Sequence, residues 1–222
     1  MEGSVEAVLE AEQAPRRKLS REARRGQLIE ATIAVIAEKG YARMTLGEVA
    51  KRAGLSHGLA NFHFESKEKL LAATLDHLSE EYRANWQGAL ARAGGHPADR
   101  LAALLEADFD PVICESDKLA AWVSFWGEAQ SRPMYQDHCG SNDEEYQGIM
   151  TRTCADLIQL GGYGGQAERI ARVLRVTVEG VWLDLMTMRE PYALEEAKAT
   201  VWACVAAFFP RHFGPEGRLR GA

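Results

Sequence analysis

Three tryptophans are spaced so that they could contribute to one binding surface. Trp122 and Trp126 lie four residues apart, so on a helix they share a face, with Phe125 beside them. Trp182 stands on a later helical segment that should pack nearby, and indole faces attract quaternary ammonium ions. Aromatic residues at this spacing are also typical of ordinary core packing, so a pocket wall and a core stripe both remain open. The compensating charge for a cation could come, if buried, from Glu128, Glu179 or Asp184.

The other reactive side chains do not form a set that predicts catalysis. His138 lies between Asp137 and Cys139, but no third partner and no oxyanion-stabilising group accompanies them. The paired acids at Asp108–Asp110 and Glu144–Glu145 should diverge on a helix, so they are predicted to be solvated. We therefore expect no enzyme activity.

Cysteine usage and hydropathy predict a cytoplasmic protein without a metal centre or cofactor. None of the cysteines belongs to a C-x-x-C pair, so four reduced thiols are the simplest interpretation. No apolar run approaches the roughly 18 residues of a membrane span. The segment Met1–Ala14 holds no basic residue, unlike a signal peptide. The cysteines are Cys114, Cys139, Cys154 and Cys204.

Charge is unevenly distributed along the chain. The net charge is −6, yet residues 16–69 hold twelve Lys and Arg against six acids, whereas residues 70–222 hold fourteen against twenty-two. A basic module followed by an acidic one indicates a nucleic-acid contact at one end. We therefore predict a flexible DNA-reaching arm over residues 1–20. The densest basic stretch comprises Arg16, Arg17, Lys18, Arg21, Arg24 and Arg25.

Helices must position these groups. Apolar residues recur at helical spacing and no run alternates at period two, so the predicted fold class is all-α, with about nine helices. We divide the chain into the arm, a DNA-binding domain at 21–68, an effector-binding and dimerisation domain at 69–213 and a tail at 214–222. The predicted helices span 24–39, 45–53, 56–62, 66–93, 99–108, 117–130, 134–160, 166–189 and 194–213.

The segment from Thr45 to Lys67 has the proportions of a helix-turn-helix. Thr45 begins a T-x-x-E capping box, Ser56 can cap the next short helix, and Gly54 permits the sharp turn between them. Side chains early in the second short helix would face bases in the major groove. The helix N-termini at Thr45, Ser56 and Lys67 suit phosphate oxygens.

The stretch "LIEATIAVIAEKGYARMTLGEVAKRAGLSHGLANFHFESKEKLLAATL" resembles the DNA-binding domain of the TetR family of repressors. The shared features are a helix ending in glycine, a threonine cap, A-x-x-A-G-[VL]-S-x-G and H-F-x-x-K-x-x-L-L. Many members have tyrosine in the middle of the recognition helix, where this chain has Asn61, which can bond a phosphate or read adenine. The candidate DNA contacts are Arg16, Arg17, Lys18, Arg21, Thr45, Ser56, His57, Gly58, Asn61, His63 and Lys67.

The stretches "KLAAWVSFWGEAQSRPMY" and "VEGVWLDLMT" resemble the BetI branch of that family, whose members respond to choline. This resemblance implies a small-molecule effector and favours a ligand-binding role for part of the tryptophan cluster. A neutral apolar metabolite is the alternative effector. The candidate ligand contacts are Trp122, Phe125, Trp126, Glu179 and Trp182.

The last two predicted helices combine small and large apolar residues. Ala199, Ala203 and Ala207 would permit close helix approach, and the resemblance implies dimerisation through a four-helix bundle of these two helices. A homodimer would place two DNA-binding domains (21–68, below called the reading head) on a palindrome. We therefore expect a repressor that binds double-stranded DNA and is released by its effector. A helical protein-interaction or enzyme domain is the alternative from another class, which the basic module and the S-x-G turn disfavour.

Overall fold

The computed structural model describes residues 20–128 and 132–219. Within these residues the chain forms nine α-helices and one two-stranded hairpin, which confirms the all-α prediction. Arg16, Arg17 and Lys18 of the predicted arm lie outside the described residues. The helices are α1 Arg21–Lys39, α2 Leu46–Arg52, α3 His57–Phe64, α4 Lys67–Arg92, α5 Pro97–Ala107, α6 Ser116–Gly127, α7 Arg132–Gly161, α8 Ala167–Thr187 and α9 Leu194–Phe208.

Hydroxyl side chains begin the four helices of the N-terminal region. Ser20, Thr45, Ser56 and Ser66 each accept a hydrogen bond from the backbone N–H three residues later, at 3.1–3.2 Å. The starts predicted at the last three are confirmed, whereas α1 begins earlier than predicted because Ser20 caps it. The capping box at Thr45 is incomplete, since the carboxylate of Glu48 binds the ammonium group of Lys39.

Two other boundaries differ from the sequence prediction. Pro133 was expected to stop the preceding helix, but α6 already ends at Gly127 and Pro133 lies in the first turn of α7, where its missing N–H costs no helix bond. The last helix ends at Phe208, and strands β1 (Phe213–Gly214) and β2 (Gly217–Arg218) then pair antiparallel. This hairpin packs on α9, with the rings of Phe213 and Trp202 stacked at 5.9 Å.

The apolar interior consists of two clusters. The first joins α1, α2 and α3 to the beginning of α4, and it also takes in side chains of α6 and one of α7. The second joins the far part of α4 to α5, α7, α8 and α9. Leu70, Leu71, Leu75 and Leu78 of α4 belong to the first cluster, so the N-terminal core continues beyond residue 68. No helix in the described ranges is both long and apolar enough to cross a membrane.

The N-terminal region contacts the rest of the chain through α6 as well as through α4. Helix α1 packs along α6, and the ring of Tyr41, just after α1, meets Phe125 of α6 edge-on at 5.6 Å. Helix α4 runs continuously from one region into the other, and the packing of α6 against α1 adds a second route between them.

Candidate functional site

The first candidate surface is the exposed face of α3. Gly54 adopts φ +65° between α2 and α3, a conformation that glycine adopts without strain, and the N–H of Leu55 bonds to the carbonyl of Ala50 at 2.8 Å. Val49 and Ala50 are buried beneath the turn. This packing leaves one face of α3 in solvent, as the sequence predicted for its N-terminal side chains. The exposed residues are Ser56, His57, Gly58, Asn61 and Phe62.

His63 does not belong to this face, although it was a candidate DNA contact. Its side chain is only 7% exposed, and its backbone carbonyl accepts a hydrogen bond from Arg25 at 2.8 Å. On α3 the exposed positions are 57, 58, 61 and 62, so position 63 points inward by helical periodicity. His63 therefore supports the packing of α3 against α1. Its buried side chain argues against the predicted contact with DNA.

Lys67 is half-buried and already engaged. Its ammonium group donates to the carbonyls of Tyr41 at 3.1 Å and Ala42 at 3.4 Å, and it lies 5.5 Å from the Tyr41 ring centroid. These bonds fasten the start of α4 to the loop after α1. Thr45 is exposed at the start of α2, with its hydroxyl oxygen used in capping. Its hydroxyl hydrogen remains suited to a phosphate oxygen.

Phe62 is a member of the exposed face that the candidate set omitted. Its side chain is 67% exposed, and the guanidinium of Arg21 lies 5.9 Å from its ring centroid. An exposed phenyl ring beside a basic group can meet a thymine methyl while the cation meets the backbone. The available signal was periodicity, because position 62 follows Asn61 on the same face of the helix.

The second candidate site is a cavity between α4, α6, α7 and α8. It holds about 550 Å³ of empty space, part of it open to solvent. Its lining combines six aromatic side chains with three carboxyl groups and one guanidinium. The lining residues are Tyr82, Asp108, Trp122, Trp126, Tyr135, Asp143, Tyr146, Arg175, Val178, Glu179 and Trp182.

The aromatic rings of the cavity form a contiguous wall. The rings of Trp126 and Trp182 are nearly parallel, with centroids 6.4 Å apart, and Trp122 stacks on Trp126 with centroids 6.1 Å apart. Tyr135 meets Trp122 edge-on at 6.3 Å, and Tyr82 meets Trp182 edge-on at 6.0 Å. Trp126 remains 38% exposed, so this ring lies where the cavity meets solvent. Such a wall offers several π-faces to one small ligand.

Asp108 lies in the interior of the cavity, just after α5. It is 1% exposed, and its carboxyl oxygens are bonded to the hydroxyl groups of Tyr82 at 2.8 Å and Tyr146 at 2.6 Å. Burial raises the pKa of Asp108 to about 7, although the two tyrosine hydroxyls oppose the rise. The indole N–H of Trp182 donates to its backbone carbonyl at 3.1 Å. The prediction that Asp108 is solvated is therefore wrong.

Two further acids lie nearer the opening. Tyr135 donates to Asp143 at 3.0 Å, and Arg175 pairs with Glu179 one helical turn away on α8. Burial raises the pKa of both carboxyl groups, while Arg175 lowers them. One guanidinium thus faces three carboxyl groups in this cavity, which gives the lining an acidic balance.

The cavity gathers most, but not all, of the candidate ligand contacts. Trp122, Trp126, Glu179 and Trp182 line it together. Phe125 does not, because it is buried on the side of α6 that faces Tyr41. Glu128 and Asp184 are also outside the lining. Five other lining residues were not identified from the sequence, because only tertiary packing brings them together and no local pattern marks them. These residues are Tyr82, Asp108, Tyr135, Asp143 and Tyr146.

The four cysteines and His138 do not form a reactive cluster with one another. All four cysteines are free thiols, and burial raises the pKa of Cys114, Cys139 and Cys154 to about 12. His138 pairs with Asp76 of α4 at 2.6 Å, not with Asp137 or Cys139. No group of three or more potential metal ligands is present in the described ranges.

Comparisons with known proteins assign the two regions to families. The family "Bacterial regulatory proteins, tetR family" matches residues 28–74, and "BetI-type transcriptional repressor, C-terminal" matches residues 97–210. The HTH-type transcriptional regulator BetI of Paraburkholderia xenovorans (strain LB400) is 31% identical over 183 residues, covering 81% of this chain and 90% of that protein. Its namesake in Stenotrophomonas maltophilia (strain R551-3) is 32% identical over 160 residues, covering 72% and 80%.

Solved structures share the fold. A transcriptional regulator from Pseudomonas aeruginosa PAO1 superimposes with a TM-score of 0.74 at 26% identity, covering 89% of this chain and 97% of that one. A regulator from Saccharomonospora viridis, solved in complex with choline, gives a TM-score of 0.69 at 19% identity, covering 81% and 94%. At that identity the second similarity shows the fold alone.

A helix-turn-helix joined to a larger helical region defines a DNA-binding regulator of transcription. The chain belongs to the TetR family, and its C-terminal region is of the BetI type. The family and the relatives are regulators of transcription and not enzymes, which confirms the expectation that this chain is not an enzyme.

Proposed function

We propose that this protein is a cytoplasmic repressor that binds a palindromic operator as a homodimer and releases it when a quaternary ammonium ion such as choline enters the cavity. The observation that carries the proposal is the cavity itself, with six aromatic rings, three carboxyl groups and one guanidinium in its lining. A quaternary ammonium ion cannot donate a hydrogen bond through N–H, so recognition relies on π-faces and nearby negative charge. The choline bound to the related regulator from Saccharomonospora viridis supports this choice of ligand class.

The exposed face of α3 supports operator reading. His57 and Asn61 lie one turn apart on that face, where imidazole and amide groups can reach base edges. The basic side chains of α1 and the N-terminus of α2 would hold the DNA backbone on either side. One such head reads one half-site, and two half-sites about 34 Å apart, or a multiple of it, require a second copy.

The exposed faces of α8 and α9 support the dimer. Val176 is 53% exposed and Leu183 is 45% exposed on α8, although both are large and apolar. On α9, Ala203 and Ala207 are exposed one turn apart, so a partner helix could approach closely. Burial of such a surface in a second copy would remove apolar area from water.

Helix α6 supports coupling between the cavity and the reading head. Trp122 and Trp126 line the cavity from α6, while Phe125 on the same helix contacts Tyr41 in the N-terminal region. The carbonyl of Tyr41 is in turn held by Lys67 at the start of α4. A shift of α6 on ligand entry would therefore reach α1 and α4 together. The ligand must prefer the DNA-incompetent arrangement, since equal affinity for both would shift nothing.

The test begins with operators selected from a random DNA pool by the full-length protein. Fluorescence anisotropy should show affinity that falls steeply with salt and release on addition of choline. Ala203→Glu should abolish the dimer in ultracentrifugation and weaken operator binding on the order of a hundredfold, because the second head loses its effective concentration. Val112→Glu, at an apolar residue that is also exposed but lies outside α8 and α9, serves as the control.

Three outcomes would contradict parts of this proposal. Dimers that persist in the Ala203→Glu variant would place the interface elsewhere. Release by a neutral apolar metabolite, with no response to quaternary ammonium ions, would support the alternative effector. Affinity that is independent of salt would contradict DNA binding through phosphate contacts.

A further inference from the structure

Asp108 presents an unusual environment for an acid in a cavity of this kind. Its carboxyl oxygens are bonded to two tyrosine hydroxyls rather than to a basic group, and the side chain is almost fully buried. The indole N–H of Trp182 fixes its backbone carbonyl, so the carboxyl group cannot easily move toward solvent. An ionised carboxylate held in this way would lack a compensating cation when the cavity is empty.

Burial and a nearby like charge favour the neutral form of Asp108, whereas two tyrosine hydroxyls favour the charged form. Tyr82 approaches from α4 and Tyr146 from α7, and both hydroxyls contact the carboxyl group directly. From α8, Glu179 adds a like charge that disfavours ionisation, and Arg175, the one guanidinium among the described residues of the cavity lining, is paired with Glu179. In the loop after α5, Cys114 donates its thiol to the Asp108 backbone carbonyl at 3.4 Å.

Two more acids, Asp110 and Asp143, lie in the same surroundings. Asp110 follows in the same loop, and its carboxylate accepts a bond from the N–H of Val112 at 2.9 Å. Asp143 and Glu179 both lie in the cavity lining. Since these neighbours are acidic and burial penalises charge, the empty cavity should hold Asp108 with its proton.

We propose that Asp108 is the counter-ion of the bound cation and that in mildly acidic solution it becomes charged only when the cation enters, so that each cation displaces one proton to solvent. The O–H bond of the carboxyl group breaks, the proton passes to water or buffer, and the carboxylate remains to face the cation. The tyrosine hydroxyls then donate to the carboxylate and stabilise its charge. This inference rests on the proposed function, because it requires a cationic ligand.

The exchange would make Asp108 a determinant of specificity. A permanent cation compensates the carboxylate that it creates, so the cavity contains a balanced pair in place of a neutral acid. A neutral ligand of the same shape induces no such ionisation and gains no attraction from it. The cavity would thus distinguish choline from 3,3-dimethylbutan-1-ol, a neutral molecule in which carbon replaces nitrogen.

Calorimetry of the full-length protein with choline tests the exchange. Titrations at one pH in two buffers of different ionisation enthalpy give the number of protons released. We expect close to one proton per choline at pH 6 and close to none at pH 9. Choline affinity should rise by up to about tenfold per pH unit below pH 7 and level off above it. Binding of 3,3-dimethylbutan-1-ol, where measurable, should release no proton.

Asp108→Asn provides the decisive variant, because it keeps the size and the acceptor oxygen of the side chain but cannot ionise. Proton release should disappear and the affinity for choline should lose its dependence on pH between 6 and 8. Asp184→Asn changes an exposed acid of α8 outside the cavity and should retain both properties. Near-ultraviolet circular dichroism of each variant confirms that the aromatic wall is still packed.

The outcomes separate this inference from the proposed function. Choline binding without proton release in the wild-type protein would overturn the exchange and leave the effector assignment standing. Proton release that persists in Asp108→Asn but vanishes in Asp143→Asn would show that Asp143 exchanges the proton, and it would overturn the proposal for Asp108. Failure of choline and tetramethylammonium to bind at any pH would overturn both.

Discussion

The reading head and the cavity are built by different physical means. Each helix of the reading head starts with a hydroxyl cap, and its working groups are exposed on short helices within one stretch of chain. The cavity draws on five separate parts of the chain, and two of its helices, α6 and α8, start without a side-chain cap. The head therefore depends on local interactions, whereas the cavity depends on tertiary packing. Changes to exposed head residues that make no capping bond should affect DNA binding alone, while changes to cavity residues should affect binding and stability together.

The largest effect that tests this difference concerns Asp108. Its pKa is raised to about 7 in the folded, empty protein and is near 4 when unfolded, so the folded state binds the additional proton between these values. The contribution of Asp108 to the free energy of unfolding is therefore at its full value below pH 4, and it is lost as the pH rises through 7. As the pH rises from 5 to 8, we expect the titration of Asp108 to lower the free energy of unfolding of the wild type by about 2–3 kcal/mol. The Asp108→Asn variant should not show this decrease.

Chemical denaturation of both proteins at each pH measures this difference. The comparison between wild type and variant is needed because other groups titrate in the same range. Burial lowers the pKa values of His63 and His212, which makes their contribution to stability rise with pH, opposite to that of Asp108. Parallel pH profiles for the two proteins would show that Asp108 is charged in the empty cavity.

The same contrast explains how far the sequence predicted the structure. The caps at Thr45 and Ser56 and the glycine turn at Gly54 act over three or four residues, so spacing alone located α2 and α3 correctly. Trp122 and Trp126 were recognised as a pair because they lie one turn apart on a single helix. Tyr82 and Asp108 meet across 26 positions through packing of α4 against the end of α5, and no local pattern encodes that contact.

Two buried residues, His63 and Asp108, were also expected from the sequence to be accessible. His63 was among the candidate DNA contacts, whereas its position in α3 directs it inward. Asp108 was placed in solvent because it is an acid near another acid, whereas two tyrosines from distant helices hold it inside. The burial of His63 follows from the periodicity of α3, whereas the burial of Asp108 is decided by the facing helices, which periodicity does not report.

The second prediction concerns base reading by the head. His57→Ala and Asn61→Ala should each weaken binding to the selected operator by about 1–3 kcal/mol and have little effect on random DNA. Both side chains are exposed, so thermal unfolding should remain close to that of the wild type. Anisotropy titrations on operator and random duplexes provide the measurement. Equal losses on both duplexes would mean that these residues touch only phosphates.

The third prediction concerns the aromatic wall. Trp126→Ala should weaken choline binding by about 1–2 kcal/mol through loss of the cation–π contact, and Trp126→Phe should weaken it less. Operator affinity without choline should stay near the wild-type value, since Trp126 is partly exposed at the opening of the cavity. Leu160→Ala is the control, because Leu160 is an exposed apolar residue of α7 that lies outside the cavity lining. Normal release by choline in Trp126→Ala would assign this ring to the core.

The smallest effect tests whether the head is stabilised locally. The hydroxyl of Ser56 accepts a bond from the N–H of Leu59, so Ser56→Ala should lower the free energy of unfolding by about 1 kcal/mol. Ser116 opens α6 without a capping bond, because its neighbour Glu115 occupies the N-cap position and makes none. Ser116→Ala should therefore change stability by only a few tenths of a kcal/mol. Hydrogen exchange should locate the loss in α3 for the first variant, and equal destabilisation by both substitutions would contradict the distinction between a locally capped head and a packed cavity.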